Sequence, residues 1–172
     1  MNKILFKELS IFTLLMVSKL SSTFINVSPF FALIIIASYF IKNKYRLLLM
    51  IFITQLISDV VYGMDASNIS IYLSYYLIVL FLFNIEKVFS IMRNCLLGLQ
   101  VNIIFYAVSN LGHYFSFSNE YSVSVLIDSY RYGLMFGINL VLSTIIFLAI
   151  IHALLAVSKI QPAYVRSAKK TN

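Results

Sequence analysis

Apolar residues along the chain gather into six runs that are separated by short polar or charged segments. The runs cover about residues 4–20, 29–41, 45–62, 69–85, 94–111 and 132–157. A helix that crosses a bilayer needs about 17–25 residues, so six crossings with their connections use nearly the whole chain. The pattern therefore predicts an all-α polytopic membrane protein with six transmembrane helices, in a single domain over residues 1–172.

The second run is too short to cross a bilayer by itself. It begins at Ser28-Pro29, a good helix start because the serine hydroxyl can cap free N–H groups and proline suits the first helical position. At 1.5 Å per residue the run is only about 20 Å long. Residues 24–28 are therefore expected to lie within membrane depth as irregular backbone, buried in protein or lining a watery cavity.

Glycines and one long connection shape the later runs. Gly63 and Gly112 are expected to end the third and fifth helices. Beyond Gly112, residues 121–132 are apolar enough to form a short helix that rests on the membrane face. This predicts a short helix or lid between spans 5 and 6.

Composition supports a lipid environment. The chain is 61% hydrophobic and 11% charged, whereas soluble domains have about 45–50% apolar and about 25% charged residues. The single cysteine, Cys95, excludes an intramolecular disulfide and a multi-cysteine metal site. We predict no metal and no cofactor.

Most of the lysines and arginines lie in segments predicted to be on one side of the membrane. With the N-terminus inside the cell, the inner segments hold 11 of the 13 cations, namely Lys3, Lys7, Lys42, Lys44, Arg46, Lys87, Arg93, Lys159, Arg166, Lys169 and Lys170. The outer side holds Lys19 and Arg131. Cytoplasmic loops carry the excess of Lys and Arg, so this distribution predicts both termini in the cytoplasm and a multi-pass protein of the inner membrane. The net charge of +7 is then no sign of nucleic-acid binding.

Asp59 is the notable charge within a predicted span. It shares a helix face with Gln55 and Tyr62, at spacings of four and three residues. Carboxylates in a membrane are costly and usually face protein or water. Two interpretations stay open: an interfacial carboxylate paired with Lys19 or Arg131, and a residue that contacts a ligand or a coupling ion.

Polar groups also collect at the outer end of the fifth run. Asn102 lies deep and is expected to form an interhelical hydrogen bond. Asn110, His113 and Tyr114 lie at the rim, where amide, imidazole and phenol groups could converge on a solute. The simpler interpretation of His113 is an interfacial histidine held by hydrogen bonds. Tyr72, Tyr75 and Tyr76 follow on the fourth run, and an interfacial aromatic belt explains them more simply than a stacking platform does.

Motifs of catalysis are missing from the sequence. It contains no His-Glu-x-x-His pair, no Gly-x-Ser-x-Gly and no phosphate-binding Gly-Lys-Ser/Thr. We predict that the chain is not an enzyme. Active transport would need energy from a partner or an ion gradient.

Several short motifs carry a resemblance. They are Asn26-Val27-Ser28-Pro29, Ala32-Leu33, Tyr39-Phe40, Ser58-Asp59 with Gly63, Asn110-Leu111-Gly112 and the aromatic-rich residues 130–139. The set resembles an uncharacterised family of bacterial six-helix membrane proteins described as transport proteins. That family is similar to the S-components, the substrate-binding subunits of energy-coupling-factor vitamin transporters. The chain departs from the pattern where Tyr114 replaces an expected tryptophan and where the first span lacks an Ala-x-x-x-Ala surface.

The resemblance implies an S-component-like bundle that binds a small, vitamin-like solute at the outer face for uptake. By that analogy Asn26, Asp59, Asn110 and His113 approach the ligand, and the loop after span 5 serves as a lid. The implied partners are the lipid bilayer, the solute, and an energy-coupling transmembrane protein with its ATPases. The alternative function is a non-transporting scaffold of the cell-shape type, which would share the helical arrangement and bind no solute.

Overall fold

The computed structural model describes residues 3–21, 27–117 and 121–158, and these ranges form six α-helices. The helices are α1 (Lys3–Leu20), α2 (Phe30–Phe40), α3 (Lys44–Tyr62), α4 (Asn68–Asn84), α5 (Ile91–Phe117) and α6 (Val123–Val157). Three of them, α3, α5 and α6, are long and apolar enough to cross a membrane. The all-helical prediction is confirmed, and the chain is a membrane protein.

The short helix α2 forms the core of the bundle. It contacts every one of the other five helices. Nine of its eleven residues are buried, including Phe31, Ile35 and Tyr39. A helix that is apolar on all sides suits such a buried position. Because protein surrounds α2, its length of about 16 Å does not leave polar backbone facing lipid.

The start of α2 is tied to the end of α1. The hydroxyl of Ser28 accepts a hydrogen bond from the amide of Phe30 at 3.2 Å and donates one to the carbonyl of Ser18 at 3.0 Å. Pro29 occupies the cap position, so the helix begins one residue later than predicted. Of the irregular segment predicted at residues 24–28, residues 27 and 28 are non-helical and 24–26 lie outside the described residues.

Helix α3 begins and ends as its sequence suggests. The side chain of Asn43 caps its start by accepting from the amide of Tyr45 at 2.9 Å. Gly63 ends it with φ of +105°, a backbone conformation that favours glycine. The prediction that Gly63 stops this helix is confirmed.

Gly112 does not end the fifth helix, and that prediction was wrong. Helix α5 runs through Gly112 to Phe117. A Cβ at this position would lie 2.0 Å from the Cβ of Ser70 on α4. The glycine therefore serves close packing between α4 and α5, as small residues do at helix interfaces in membranes.

The separate short helix or lid predicted between spans 5 and 6 is also wrong for the described residues. Residues 123–132 form the first turns of α6, and Ser122 caps them by accepting from the amide of Val125 at 3.3 Å. The connection shrinks to residues 118–122, of which 118–120 are not described. At 1.5 Å per residue, α5 and α6 reach about 40 and 52 Å. Both exceed a hydrocarbon core of about 30 Å, so their ends extend beyond it or the helices tilt.

The helices alternate in direction, which gives the bundle two distinct ends. One end, which we call the pocket end because a cavity opens there, holds the last residues of α1, α3 and α5 and the first residues of α2, α4 and α6. There the hydroxyl of Tyr62 donates to the carbonyl of Leu20 at 2.5 Å. At the opposite end Arg46 forms an ion pair with Glu8 at 3.1 Å.

Candidate functional site

A cavity of about 360 Å³ opens at the pocket end. Small-molecule sites range over about 300–1,000 Å³, so the volume fits a small solute. Helices α1, α2, α4, α5 and α6 all contribute to its wall. Lys19 on α1 and Tyr132 on α6 both belong to the cavity wall.

Aromatic rings form much of the cavity wall. They are Phe30, Phe31, Tyr75, Phe105, Tyr106, Tyr132 and Phe136. The rings of Tyr75 and Phe105 stack with centroids 5.7 Å apart, and Phe31 meets Phe105 edge-on at 5.0 Å. Tyr75 is only 1% exposed. The aromatic belt proposed for it was therefore wrong: this tyrosine is part of the core and of the cavity.

Lys19 brings a positive charge to the cavity wall. Its Nζ donates to the hydroxyl of Tyr75 at 3.2 Å. The same atom lies 5.4 Å from the ring centre of Phe30 and 5.8 Å from that of Tyr75. Both distances fall within the range of a cation–π interaction. The aromatic neighbours thus hold the ammonium at the end of α1.

Asp59 is buried behind this wall and is not among the described residues that line the cavity. Its Oδ1 accepts a hydrogen bond from the side-chain amide of Gln55 at 2.5 Å, and its Oδ2 accepts one from the hydroxyl of Tyr72 at 2.7 Å. The hydroxyl of Tyr75 donates to Gln55 Oε1 at 3.3 Å. A chain of hydrogen bonds therefore joins Asp59 to the cavity through Gln55 and Tyr75. Tyr62, predicted on the same face, instead lies exposed and contacts α1.

The structure places the predicted rim residues of α5 in different surroundings. Asn110 and His113 line the cavity, whereas Tyr114 does not. The side-chain amide of Asn110 donates to the backbone carbonyl of Tyr106 at 2.8 Å, and the backbone carbonyl of Asn110 accepts from the hydroxyl of Ser129 at 2.9 Å. Tyr114 is buried, and its hydroxyl donates to the carbonyl of Ser122 at 3.4 Å, which joins α5 to the start of α6.

Asn26, the remaining predicted ligand contact, lies outside the described residues. One lip of the cavity is formed by the turn before α4, which holds Ser67. There Asp65 accepts hydrogen bonds from the amide of Ser67 at 2.7 Å and from its hydroxyl. These bonds, chiefly that of the hydroxyl, hold the pKa of the Asp65 carboxyl below its usual range, and His113 adds to the effect. Ser67, positioned in this way, lines the cavity.

Comparison with known proteins places the chain in a family. The profile of a family of unknown function, DUF6580, matches residues 2–166. The chain belongs to the DUF6580 family. No curated protein matches it, and no solved structure does. The function of this DUF6580 chain is therefore argued from its site.

Sequence reasoning missed two glycines of the DUF6580 site. Gly133 and Gly137 line the cavity from α6. A Cβ on Gly133 would lie 2.1 Å from Asn110 Oδ1, and one on Gly137 would lie 2.8 Å from the ring of Tyr106. Their spacing, Gly-x-x-x-Gly within an apolar run, is the signal for close helix packing in membranes that could have identified them.

Two cavity-lining serines of the DUF6580 chain were missed for a different reason. Ser70 on α4 and Ser129 on α6 meet the polar residues of α5 only in the folded bundle. A single serine in an apolar run carries no sequence signal, because its hydroxyl can bond its own helix backbone. Ser70 does so here, donating to the carbonyl of Ser67 at 2.6 Å.

A second polar cluster lies at the opposite end of this DUF6580 bundle. The hydroxyl of Tyr39 donates to Asn94 Oδ1 at 2.7 Å, and Asn94 bonds His152 Nε2 at 2.8 Å. Lys87, between α4 and α5, donates to the carbonyl of Ser38 at 2.9 Å. Burial lowers the pKa of the Lys87 ammonium to about 8. These contacts join the α4–α5 connection to the end of α2, and they involve no residue of the cavity.

Proposed function

We propose that this chain is a solute-binding component of a membrane transport system and that the solute occupies the cavity at the pocket end. The observation that carries the proposal is the cavity itself. Five helices contribute to its wall, the wall combines aromatic rings with hydroxyl, amide and ammonium groups, and its volume suits a small molecule.

The proposed topology has six crossings with both termini in the cytoplasm of a bacterium, in the inner membrane. The distribution of 11 of 13 cations to one side supports it. In this orientation the pocket end faces outward and the solute enters from outside the cell. Lys87 and the ion pair of Arg46 with Glu8 then lie at the cytoplasmic end.

Energy for uptake comes from elsewhere in this proposal, because the chain has no phosphate-binding loop. The resemblance to S-components supports a coupling transmembrane protein with ATPases as the partner. The vitamin-like nature of the solute rests on the same resemblance. The chain binds and presents its solute and performs no chemistry on it.

The test is to identify small molecules retained by the purified protein. The full chain is extracted in mild detergent, washed, denatured, and its released molecules are compared by mass spectrometry with those of a variant whose cavity is filled. Ser109→Leu places a larger side chain on the cavity wall. We expect at least one compound to be enriched in the wild type and lost from Ser109→Leu.

Ser10→Leu is the matched control. Ser10 donates to the carbonyl of Phe6 at 2.9 Å, much as Ser109 bonds the carbonyl of Tyr106, but Ser10 lies on an exposed face of α1. The control should retain the compound at the wild-type level. If both variants retain the same compounds as the wild type, the cavity is not the binding site. Absence of any retained compound, together with capture of wall-synthesis proteins, would favour the scaffold alternative.

A further inference from the structure

The hydrogen bonds that begin at Lys19 all run in one direction. Lys19 donates to Tyr75 at 3.2 Å, and Tyr75 donates to Gln55 at 3.3 Å. Gln55 then donates to Asp59 at 2.5 Å. Every donor in this chain of bonds faces toward the carboxylate. The ammonium lies on the cavity wall, and the carboxylate at the far end of these bonds is buried one layer behind it.

A molecule in the cavity experiences the nearer charge more strongly. Coulomb energy falls with distance and is weakly screened among apolar groups. The described residues that line the cavity include Lys19 and His113 but neither Asp nor Glu. The positive end of the Lys19–Asp59 arrangement is therefore the end presented to a solute, and an anionic group is favoured there over a cation.

The rest of the wall favours a flat apolar body. Tyr75 and Phe105 stack nearly parallel, with an interplanar angle of 23°, and Phe31 stands edge-on to Phe105. Phe136 contributes a further ring from α6. Aromatic surfaces arranged in this way favour another ring in offset-stacked or edge-to-face contact.

We propose that the solute is a small aromatic carboxylic acid, with its ring packed against Phe31, Phe105 and Phe136 and its carboxylate bound by Lys19. This inference rests on the proposed function, because it names the class of solute for the same cavity. Asn110 and the serines of the wall then supply hydrogen bonds to the substituents of the ring.

A matched pair of probes tests the proposal. 2-Naphthoate and 2-naphthamide share one ring system and differ in charge, so their affinities for the full chain in nanodiscs isolate the contribution of the carboxylate. We expect the wild type to bind naphthoate about tenfold more tightly than the amide, the gain typical of a hydrogen bond to a charged group. Lys19→Gln should remove that preference and leave naphthamide binding within about threefold, whereas Lys19→Arg should keep it.

Lys42→Gln is the control, because it removes the same charge from an exposed position after α2, at the opposite end of the bundle. It should leave both affinities unchanged. Equal binding of the two probes by the wild type, blocked for both by Ser109→Leu, would overturn the anionic class and leave the proposed function standing. Failure of both probes in a protein that retains another solute would overturn the aromatic acid alone. Failure of both with no retained solute would overturn the proposed function as well.

Discussion

The hydroxyl of Tyr72 on α4 donates a hydrogen bond to the buried carboxylate of Asp59 on α3, at 2.7 Å. This contact indicates a structural role for Asp59. A carboxylate that is 4% exposed and bonded by Tyr72 and Gln55 holds two helices together from behind the cavity. The ion pair with Lys19 or Arg131, one of the two interpretations left open by the sequence, is not formed among the described residues. Asp59 is instead a buried group whose hydrogen-bond partners lead to the cavity wall.

Replacing Tyr72 with phenylalanine should destabilise the α3–α4 contact. Asp59 Oδ2 would lose its donor while the carboxylate stays buried, and a hydrogen bond to a charged group is worth about 1.5–3 kcal/mol. We expect a lower midpoint of thermal unfolding in detergent. Tyr76→Phe, which removes a hydroxyl from an exposed tyrosine of the same helix, should leave the midpoint unchanged. Equal midpoints for the two variants would contradict the proposed role of the bond.

Helix number and most helix ends follow from the sequence. Residues 45–62 were predicted and α3 spans Lys44–Tyr62, because an asparagine cap and a glycine stop act locally. Asn102 was predicted to bond another helix, and its amide donates to Thr144 Oγ1 on α6 at 3.0 Å. A deep amide in an apolar run has few other ways to satisfy its donors.

What failed depends on contacts between distant residues. Gly112 looked like a helix stop, but the nearby Ser70 that requires a glycine there lies some forty residues earlier in the chain. The apolar character of residues 121–132 suggested a separate short helix, whereas α6 includes residues 123–132 and packs against α5. Likewise, the burial of Tyr75 depends on α1, α2 and α5 closing around it. None of these partners can be identified from local sequence.

Gly112→Ala should be strongly destabilising and should be rescued by a second change. The new Cβ would lie 2.0 Å from the Cβ and 2.1 Å from the Oγ of Ser70. Overpacking of this kind costs about 1–3 kcal/mol. Ser70→Gly removes both clashing atoms and leaves the Ser70 Cα, at 3.5 Å, in ordinary contact. The double variant should therefore unfold at a higher temperature than Gly112→Ala alone.

The double-mutant cycle for Gly112 and Ser70 measures this coupling directly. Gly98→Ala is a useful comparison, because its Cβ would meet the ends of flexible side chains: methyl groups of Thr144 and Leu148 at 3.2 Å and of Ile35 at 4.0 Å. That variant should be milder than Gly112→Ala. Additive effects of the two changes at Gly112 and Ser70 would show that the helices do not approach as closely as described.

Two buried threonines should respond to valine in opposite ways. Thr144 accepts from Asn102 across the α5–α6 interface, whereas the hydroxyl of Thr54 has no hydrogen-bond partner among the described residues. Thr144→Val should lower stability by about 0.6 kcal/mol, the average for such bonds in a membrane. Thr54→Val removes an unsatisfied buried hydroxyl and should be neutral or stabilising. The comparison is a pair of thermal unfolding curves, and a loss of stability in Thr54→Val equal to that in Thr144→Val would contradict it.

Lys87 should make stability depend on alkaline pH. Burial lowers the pKa of its ammonium from 10.5 to about 8 in the folded chain. Between these values the unfolded chain binds more protons than the folded one, so the contribution of this residue to stability rises as the pH increases from about 8 to 10.5. Below pH 8 the charged side chain remains partly desolvated, although it donates a hydrogen bond to the carbonyl of Ser38 at the end of α2. Lys87→Met should therefore gain less stability than the wild type when the pH of unfolding is raised from 7.5 to 9.5.

Lys42→Met, at an exposed position, controls for the general effect of losing one charge and should follow the wild-type pH dependence. If Lys87→Met does so as well, the desolvation of Lys87 is not what links folding to protonation in this range.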